Sequence, residues 1–186
     1  MMENVTLIYN PVIKDNTGIY SQLPIKYKDS MPSFLDKSWL VSNVIYSENK
    51  YTLRGLHYQT EPYEQAKLIK VIKGKIFNFY FDMRSLSVNY GRCGGETVKE
   101  NYEILIPRGF AHGFITLEDD TIVQYLVDNI QHVDSENSIL WSSIPSLVNE
   151  LEKKIPNFEL SDVITSDKDK KGQKMVDWLN RKVIKE

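Results

Sequence analysis

Apolar and polar residues alternate along most of the chain between residues 39 and 127, and this pattern predicts a fold built from β-strands. A weaker alternation over residues 5–13 predicts a short edge strand. Turn residues separate the runs at intervals of roughly ten residues, a spacing typical of a sandwich or a barrel. The runs that indicate strands are residues 39–46, 51–59, 67–73, 75–83, 97–106, 111–116 and 121–127, which are rich in β-branched and aromatic side chains.

Two of these runs, residues 67–73 and 75–83, are separated only by Gly74. Glycine at so short a connection is a hairpin signal, and we therefore expect these two strands to pair with each other. The second run places different side chains on its two faces: Phe77, Phe79 and Phe81 on one, and Asn78, Tyr80 and Asp82 on the other.

The pattern changes after Trp141, where apolar residues recur at helical spacing. Residues 146–155 predict a helix with Ser146 as its N-cap, and residues 170–185 predict another helix. We interpret the chain as one domain, residues 1–186, with a β-barrel over residues 1–145 and a helical C-terminal segment over residues 146–186.

Composition narrows the class of protein. The chain has 186 residues, of which 41% are hydrophobic and 26% charged, as in a globular domain with a substantial core. The formal net charge of -2 provides no basic surface for nucleic acid, and no apolar run approaches the roughly 20 residues of a membrane span. The first residues show no signal-peptide pattern, and the single Cys93 excludes an internal disulfide. These features favour a cytoplasmic enzyme or binding protein without a nucleic-acid or membrane partner.

Several polar groups interrupt the apolar strands, where they are costly to bury unless they are paired or used. Arg54 and His57 are three residues apart with Gly55 between them, and a bulge at this glycine would turn both side chains into one cavity. A lone histidine in a strand is more often a hydrogen-bonded core or surface group than a catalyst. The nearby Arg54, a second cationic group that also needs a partner, is the reason to consider a function for His57. His112 follows a turn and alternates with two phenylalanines, which predicts that all three face one way.

Two further polar residues lie in apolar strands, and we expect the ring of one of them, Tyr125, to point inward. Lys67 begins an apolar strand and is either an exposed strand end or an ammonium group that faces an oxyanion or a phosphate inside a barrel. Tyr125 lies between Val123 and Val127 on one face. Its hydroxyl group is either a core group with a hydrogen-bond partner or a proton donor to a carbanion or an enolate.

A metal site is the main rival interpretation for a β-barrel with histidines, but it requires ligands at short spacing. His57, His112 and His132 are far apart in the sequence, so we expect no metal. The chain has no phosphate-cradling glycine loop and no Gly-x-Ser-x-Gly elbow, and Cys93 has no histidine close in sequence. We therefore expect neither a cofactor nor a covalent hydrolase mechanism.

Seven short segments, taken in order, resemble one known family. They are RGLHYQ at 54–59, QAKLIKVIKGKIF at 65–77, FDMR at 81–84, IPRGFAHGF at 106–114, QYLV at 124–127, DSENSILW at 134–141 and ITSDKD at 164–169. Together they are similar to the dTDP-4-dehydrorhamnose 3,5-epimerase family over about residues 40–170. One segment alone is modest support, whereas seven in the right order are a strong resemblance.

The resemblance implies a mainly β fold, a cupin-like jelly-roll barrel that works as a homodimer without metal or cofactor. It implies inversion of C3, C5 or both in a nucleotide-linked 4-keto-6-deoxy sugar, within deoxysugar biosynthesis for a surface polysaccharide such as capsule or lipopolysaccharide. His57 matches the general base, Asp169 the carboxylate that orients it, Tyr125 the general acid on the opposite face of the sugar ring, and Lys67 the cation near the C4 carbonyl oxygen. Substrate-binding positions are implied for Arg54, Gln59, His112, Glu136 and Lys168.

The chain departs from the family pattern around the nucleotide. Thr17 stands before Gly18 where the family usually carries an arginine, and Gln22 stands where a glutamate is expected. Gln131 replaces a tyrosine usually found six residues beyond the acid. Since the base and the acid are retained, we expect the same proton chemistry on an altered substrate. Its nucleotide is dTDP, GDP, CDP or UDP, and its sugar is a hexose or a heptose.

Two other functions stay open at this point. A non-catalytic sugar-nucleotide-binding barrel would keep the fold without the reaction; the intact base and acid argue against it, whereas Thr17 and Gln22 leave room for it. A 3,4-ketoisomerase on the same scaffold would be expected to use a differently placed histidine pair, which the sequence lacks.

Overall fold

The computed structural model describes residues 5–9, 13–15, 18–20 and 39–183 of the chain. Its strands are β1 (Thr6–Tyr9), β2 (Ile13–Asp15), β3 (Gly18–Tyr20), β4 (Val41–Ser47), β5 (Thr52–Gln59), β6 (Lys67–Lys73), β7 (Lys75–Asp82), β8 (Cys93–Lys99), β9 (Tyr102–Ile106), β10 (Phe110–Thr116), β11 (Thr121–Val127), β12 (Glu136–Ser138) and β13 (Ile164–Thr165). Its helices are α1 (Pro145–Lys154), α2 (Asp167–Lys170) and α3 (Met175–Val183), with short 3-10 turns at Val133–Ser135, Trp141–Ser143 and Leu160–Asp162.

The described strands form two larger sheets. Sheet I has five strands in the order β1-β9-β6-β11-β4, and neighbouring strands are antiparallel. Sheet II has the order β12-β5-β10-β7-β8, also antiparallel, and β13 runs parallel to β5 beside it. β2 and β3 form a small separate pair. Since β1 lies at the edge of sheet I, the expected edge strand is confirmed for residues 6–9.

Two apolar clusters hold these layers together. The first lies between the inner faces of the two sheets and includes Ile69, Val71, Tyr80, Ile104, Phe110, Phe114 and Val123. The second covers the outer face of sheet II, where Phe77, Phe79 and Phe81 pack against Trp141, Leu147, Leu151 and Trp178 of the C-terminal segment. The structure thereby confirms a mainly β fold of packed jelly-roll sheets with short C-terminal helices, and it confirms that the phenylalanines of β7 share one face.

The prediction that residues 67–73 and 75–83 pair as a hairpin around Gly74 is wrong. β6 lies in sheet I, where it pairs with β9 and β11, whereas β7 lies in sheet II, where it pairs with β8 and β10. Gly74 therefore carries the chain from one sheet to the other instead of reversing it within a sheet. The physical reason is burial: the inner faces of both strands are apolar, and packing them across the core buries both.

The strand predicted over residues 97–106 is also wrong as a single element. It breaks at Glu100 and Asn101, where Asn101 has a φ of 71°, a value that asparagine tolerates in turns. The two halves, β8 and β9, then join different sheets. β8 and β9 do not pair with each other, because their apolar inner faces are buried across the core from one another, as those of β6 and β7 are.

The two predicted C-terminal helices are present, but both begin at other residues than predicted. α1 begins at Pro145, and Ile144 occupies the N-cap position without a side-chain cap, so Ser146 lies inside the helix. Proline suits the first helical position because its missing N–H has no intrahelical partner there. α3 lies inside the predicted range of 170–185. No helix in the described residues is long and apolar enough to cross a membrane. Thr17 and Gln22 lie outside the described residues.

Strands β5 and β10 approach each other unusually closely at two glycines. Gly55 has a φ of 111°, and a Cβ atom there would lie 2.6 Å from the carbonyl oxygen of His112 and 2.7 Å from the Cα of Gly113. A Cβ atom on Gly113 would lie 2.6 Å from the carbonyl oxygen of Arg54. The strand register shifts at this point, between His112 and Phe114 of β10, so the expected bulge at Gly55 is present.

We predict that Gly55→Ala lowers the free energy of unfolding by more than about 3 kcal/mol, because a backbone clash adds to an unfavourable φ. Gly91→Ala is the matched control. Gly91 also has a positive φ, 74°, but no atom lies within 4 Å of a Cβ added there. We therefore expect Gly91→Ala to lower the free energy of unfolding by about 1 kcal/mol. Denaturant unfolding of both variants measures the difference. Equal losses would contradict the importance of the close approach.

Candidate active site

The register of β5 against β10 brings Arg54, His57 and His112 to one side of sheet II. His112 is the partner of His57, and Phe114 is the partner of Arg54. Phe114 belongs to the cluster between the sheets, and His112 alternates with it on the inner face. Their partners therefore face inward too, so the bulge accounts for two inward side chains at a spacing of three residues.

The C-terminal segment delivers Asp169 to His57. β13 pairs with Thr52 and Leu53 of β5, which places the following residues beside the bulge. Ser166 then caps α2, where its hydroxyl group accepts a hydrogen bond from the N–H of Asp169 at 3.1 Å. From α2 the Asp169 side chain reaches His57 Nε2 at 2.5 Å and the N–H of Gly55 at 3.5 Å.

The contact between His57 and Asp169 defines the state of the imidazole. A carboxylate oxygen can only accept, so the proton of neutral His57 lies on Nε2 and the lone pair lies on Nδ1. Asp169 is almost fully buried, whereas 31% of the His57 side chain is exposed. Burial by itself would raise the pKa of Asp169, but the hydrogen bonds from His57, Ser166 and Gly55 outweigh it and lower that pKa. Asp169 is thus ionised, and it can stabilise an imidazolium at His57.

The opposite wall of the interior is formed by Lys67 and Tyr125 of sheet I. Lys67 pairs with Val127 and Tyr125 with Ile69, so both lie near the same end of two adjacent strands. Tyr125 packs against the cluster between the sheets, which confirms that its ring points inward. His57 and Tyr125 therefore belong to opposite sheets that face each other across the interior.

Burial controls the protonation of both groups on this wall. Desolvation lowers the pKa of Lys67 to about 8, although the charge of Glu136 partly offsets it. Burial, together with Glu136, raises the pKa of the Tyr125 hydroxyl, and Arg54 acts in the opposite direction. Lys67 is thus an ammonium group that titrates at about pH 8, while Tyr125 keeps its proton.

Glu136 connects the charged groups at the mouth of the site. Its carboxylate accepts hydrogen bonds from Lys168 at 2.6 Å and from Gln131 at 3.2 Å. The bond from Lys168 is the main reason that the pKa of Glu136 is lowered. Its charge also acts on His57, Lys67 and Tyr125. Residues from sheet I, sheet II and α2 therefore share one electrostatic environment.

Arg54 and Gln59 differ in how far their hydrogen-bonding groups are used. Among the described residues Arg54 makes only long contacts, at 3.4 Å to the Ser47 hydroxyl and 3.5 Å to the Tyr46 carbonyl, so its guanidinium can still bind an anion. Gln59 donates to the carbonyls of Tyr63 and Ile130 and accepts from the N–H of His132. Its amide therefore holds the neighbouring loops in place, and its buried side chain lines a cavity of ≈ 580 Å³ that Lys67 also lines.

His112 is buried at the centre of the site and meets a partner that the sequence analysis did not single out. Its Nε2 lies 2.6 Å from the side-chain oxygen of Asn78. Burial is the main reason that the pKa of His112 lies well below its ordinary value, and the charges of Lys67 and His57 add to the effect. A sequence signal for Asn78 existed, since an amide in the aromatic run FNFYF on an inward-facing position needs a partner.

Among the described residues, no three His, Cys, Asp or Glu side chains group together as metal ligands would. What the site does hold is a histidine oriented by a carboxylate, a protonated phenol on the facing wall, and an ammonium group beside them. Such a set can move protons on both faces of a ring and stabilise an oxyanion.

Comparison with known proteins finds a matching family and similar proteins. The family model for dTDP-4-dehydrorhamnose 3,5-epimerase matches residues 1–177. The dTDP-4-dehydrorhamnose 3,5-epimerase of Shigella flexneri is 39% identical over 132 residues, which cover 69% of this chain and 67% of that protein. The enzyme of the same name from Neisseria gonorrhoeae is 32% identical over 145 residues, which cover 76% of this chain but 43% of that longer protein.

A solved structure extends the likeness to the fold. The dTDP-4-dehydrorhamnose 3,5-epimerase of Bacillus anthracis strain Ames, crystallised with TDP and PPi bound, superimposes with a TM-score of 0.76 at 30% sequence identity. The match covers 90% of this chain and 92% of that one. The family match over nearly the whole length, the curated relatives and this fold agree: the chain belongs to the dTDP-4-dehydrorhamnose 3,5-epimerase family, whose members are isomerases.

Proposed function

We propose that this protein is an epimerase that inverts C3, C5 or both in a nucleotide-linked 4-keto-6-deoxy sugar, with His57 as base and Tyr125 as acid. The observation that carries the proposal is the placement of these two groups on facing walls, with Asp169 bound to His57 and Lys67 beside Tyr125. Inversion of a carbon requires removal of a proton from one face and delivery to the other, and this arrangement supplies both.

The reaction begins at a carbon next to the 4-keto group. His57 Nδ1 takes the proton, and the C–H electron pair moves into the ring to form an enolate whose negative charge lies on O4. The Lys67 ammonium stabilises this oxyanion. The hydroxyl of Tyr125 then delivers a proton to the opposite face and re-forms the ketone, and the tyrosinate and the imidazolium return to their starting states by proton exchange with water. Asp169 holds His57 in the tautomer that this sequence requires.

Arg54 supports recognition of the nucleotide diphosphate, because its guanidinium carries only long hydrogen bonds from the described chain. Glu136 and Lys168 bind polar groups of the substrate at the mouth of the site, and His112 binds the sugar. The names of the relatives favour a dTDP-linked sugar. Gln131, however, lies beside Glu136 where the family resemblance expects a tyrosine, so GDP, CDP or UDP and a heptose are alternatives to be tested.

The biological setting follows from the same assignment. We place the reaction in the cytoplasm and in deoxysugar biosynthesis for a surface polysaccharide. We also propose a homodimer as the working form and a single domain over residues 1–186. The core shared by sheet II and the C-terminal segment supports the last point.

We predict that incubation in D2O with a panel of nucleotide-linked 4-keto sugars leads to deuterium incorporation at C3 or C5 with one member, because removal of the proton is followed by return from solvent. NMR identifies the labelled carbon and thereby the substrate and the site of inversion. Migration of the ketone would instead indicate a 3,4-ketoisomerase. Tight binding without exchange across the panel would contradict the proposal and favour a non-catalytic barrel.

His57→Asn should lower the exchange rate by roughly 100- to 10,000-fold, since asparagine keeps a polar group but cannot act as a base. Circular dichroism should show an unchanged fold, and substrate should still raise the melting temperature. Full exchange in this variant would exclude His57 as the base.

Tyr125→Phe should leave proton abstraction intact but slow inversion by roughly 100-fold or more, because the acid on the far face is lost. Exchange and inversion are measured in the same NMR sample. Tyr102→Phe is the matched control, since Tyr102 packs against the same core cluster but lines a groove away from the site. Equal inversion rates in the two variants would assign the acid to another group.

The pH dependence follows from Lys67. Because its pKa is lowered to about 8, its charge is lost as the pH rises above that value, and kcat/KM should fall there. Lys67→Arg should move this decline to higher pH, since a guanidinium stays charged. Lys73→Arg, an exposed change on the same strand, should leave the decline in place. An unchanged decline in Lys67→Arg would show that another group causes it.

A further inference from the structure

The carboxylate Asp169 lies in a segment, residues 164–173, that we call the strap. At the start of the strap, β13 pairs in parallel with β5. At its end, the N–H of Gln173 donates to the carbonyl of Ser138 in β12 at 2.9 Å. Both anchors are backbone contacts with sheet II, and α2, which has four residues, lies between them. The strands therefore fix the ends of the strap, whereas the position of Asp169 depends on α2.

A helix of four residues is unstable by itself, because its first turn fixes several residues for a single hydrogen bond. In α2 the N–H of Lys170 closes this turn by donating to the carbonyl of Ser166 at 3.0 Å. The first N–H groups of a helix have no intrahelical partner, and here the Ser166 hydroxyl accepts from the N–H of Asp169 at 3.1 Å. The cap thus bonds to the same residue whose side chain reaches His57.

The side chain of Asp169 binds groups outside its own helix, unlike the acidic residue of an ordinary capping box. In a capping box, a Glu or Gln at the third helical position reaches back to the N–H of the capping residue. Asp169 occupies that position but is shorter by one methylene, and its carboxylate bonds to His57 Nε2 at 2.5 Å and to the N–H of Gly55 at 3.5 Å. The Ser166 hydroxyl therefore stabilises the helix start while the carboxylate serves the histidine.

We propose that Ser166 is a positioning residue of the active site, whose hydroxyl caps α2 and thereby holds the Asp169 carboxylate on His57. The effect on catalysis rests on the proposed function, whereas the contact between Asp169 and His57 can be measured without any substrate.

The surroundings of Ser166 make its substitution informative. Ser166 is exposed, so removal of its hydroxyl leaves no cavity in the core. An exposed substitution has little effect on a protein unless it removes a feature such as a helix cap. Lys168, the other residue of α2 that we place at the site, is also held by Glu136 at 2.6 Å. A slower reaction in a Ser166 variant therefore reports on the cap and on Asp169.

The first test compares two substitutions at Ser166 in the proton-exchange assay at saturating substrate. Ser166→Ala should lower kcat by roughly three- to thirtyfold, which corresponds to the loss of one helix N-cap. Ser166→Asn should restore kcat to within about twofold of the wild type, because asparagine is also a good N-cap. Ser161→Ala removes a hydroxyl from another exposed serine and should leave kcat unchanged.

Three outcomes of this test would overturn the proposal. The first is an unchanged kcat in Ser166→Ala, and the second is a kcat in Ser166→Asn as low as that in Ser166→Ala. The third is a rise in KM without a fall in kcat, which would assign the effect to substrate binding by Lys168.

The second test is a double-mutant cycle with Asp169→Ala. If Ser166 acts through Asp169, then Ser166→Ala should cause no further loss of rate in a protein that already lacks this carboxylate. A further loss by the same factor as in the wild-type background would show that Ser166 acts independently of Asp169, and it would overturn the proposal.

The third test needs no substrate, because it observes the His57 ring proton that Asp169 accepts. Proton NMR at low temperature should show this Nε2–H far downfield in the wild type, with the signal missing from His57→Asn. We expect the signal to be weakened or lost in Ser166→Ala and retained in Ser166→Asn and Ser161→Ala. An unchanged signal in Ser166→Ala would overturn the proposal, and so would its absence from the wild type.

The tests also separate this inference from the proposed function. If the wild-type protein exchanges no proton with any sugar in the panel, the epimerase assignment fails. The downfield signal then still decides whether Ser166 holds Asp169 on His57.

Discussion

The close approach of β5 and β10 at Gly55 and Gly113 is the constraint on which the site depends. A Cβ atom at either position would meet the backbone of the other strand at less than 3 Å. Because neither residue has one, the register shifts here, and side chains on both sides of the shift face the interior. Without this shift, the ordinary alternation of a strand would send Arg54 and His57 to opposite faces.

The same region anchors the C-terminal segment. Asp169 binds the imidazole of His57 and the N–H of Gly55, so one carboxylate connects His57, the bulge and α2. A residue 112 positions away in sequence thus defines the tautomer of His57, the proposed base. The other charged groups follow from this arrangement, since sheet I supplies Lys67 and Tyr125 from the facing wall and Glu136 couples to both. Burial keeps Tyr125 protonated for proton donation, and it lowers the pKa of Lys67 to about 8, so Lys67 carries the charge that stabilises an oxyanion only below that pH.

The connection at Gly74 shows what a local sequence pattern leaves undecided. The local pattern correctly predicted two strands with a short connection, but it wrongly paired β6 with β7. A short connection has the same sequence pattern whether the chain reverses within one sheet or crosses to another sheet. The run at residues 97–106 failed for the same reason. The faces of the strands were predicted correctly, since alternation depends on the strand alone: Tyr125 of sheet I points inward, and the three phenylalanines of β7 share one face.

The sequence by itself determined the β-rich class, the faces of the strands, the C-terminal helices and, through ordered motifs, the family and the residues that we propose as base and acid. Those features depend on side-chain type and spacing along one element or one short segment. Only the tertiary structure decided which strands pair, that the bulge at Gly55 turns Arg54 and His57 to one side, and that Asn78 meets His112. Each of these depends on contacts between residues far apart in the chain, and local periodicity carries no information about which distant element a face will meet.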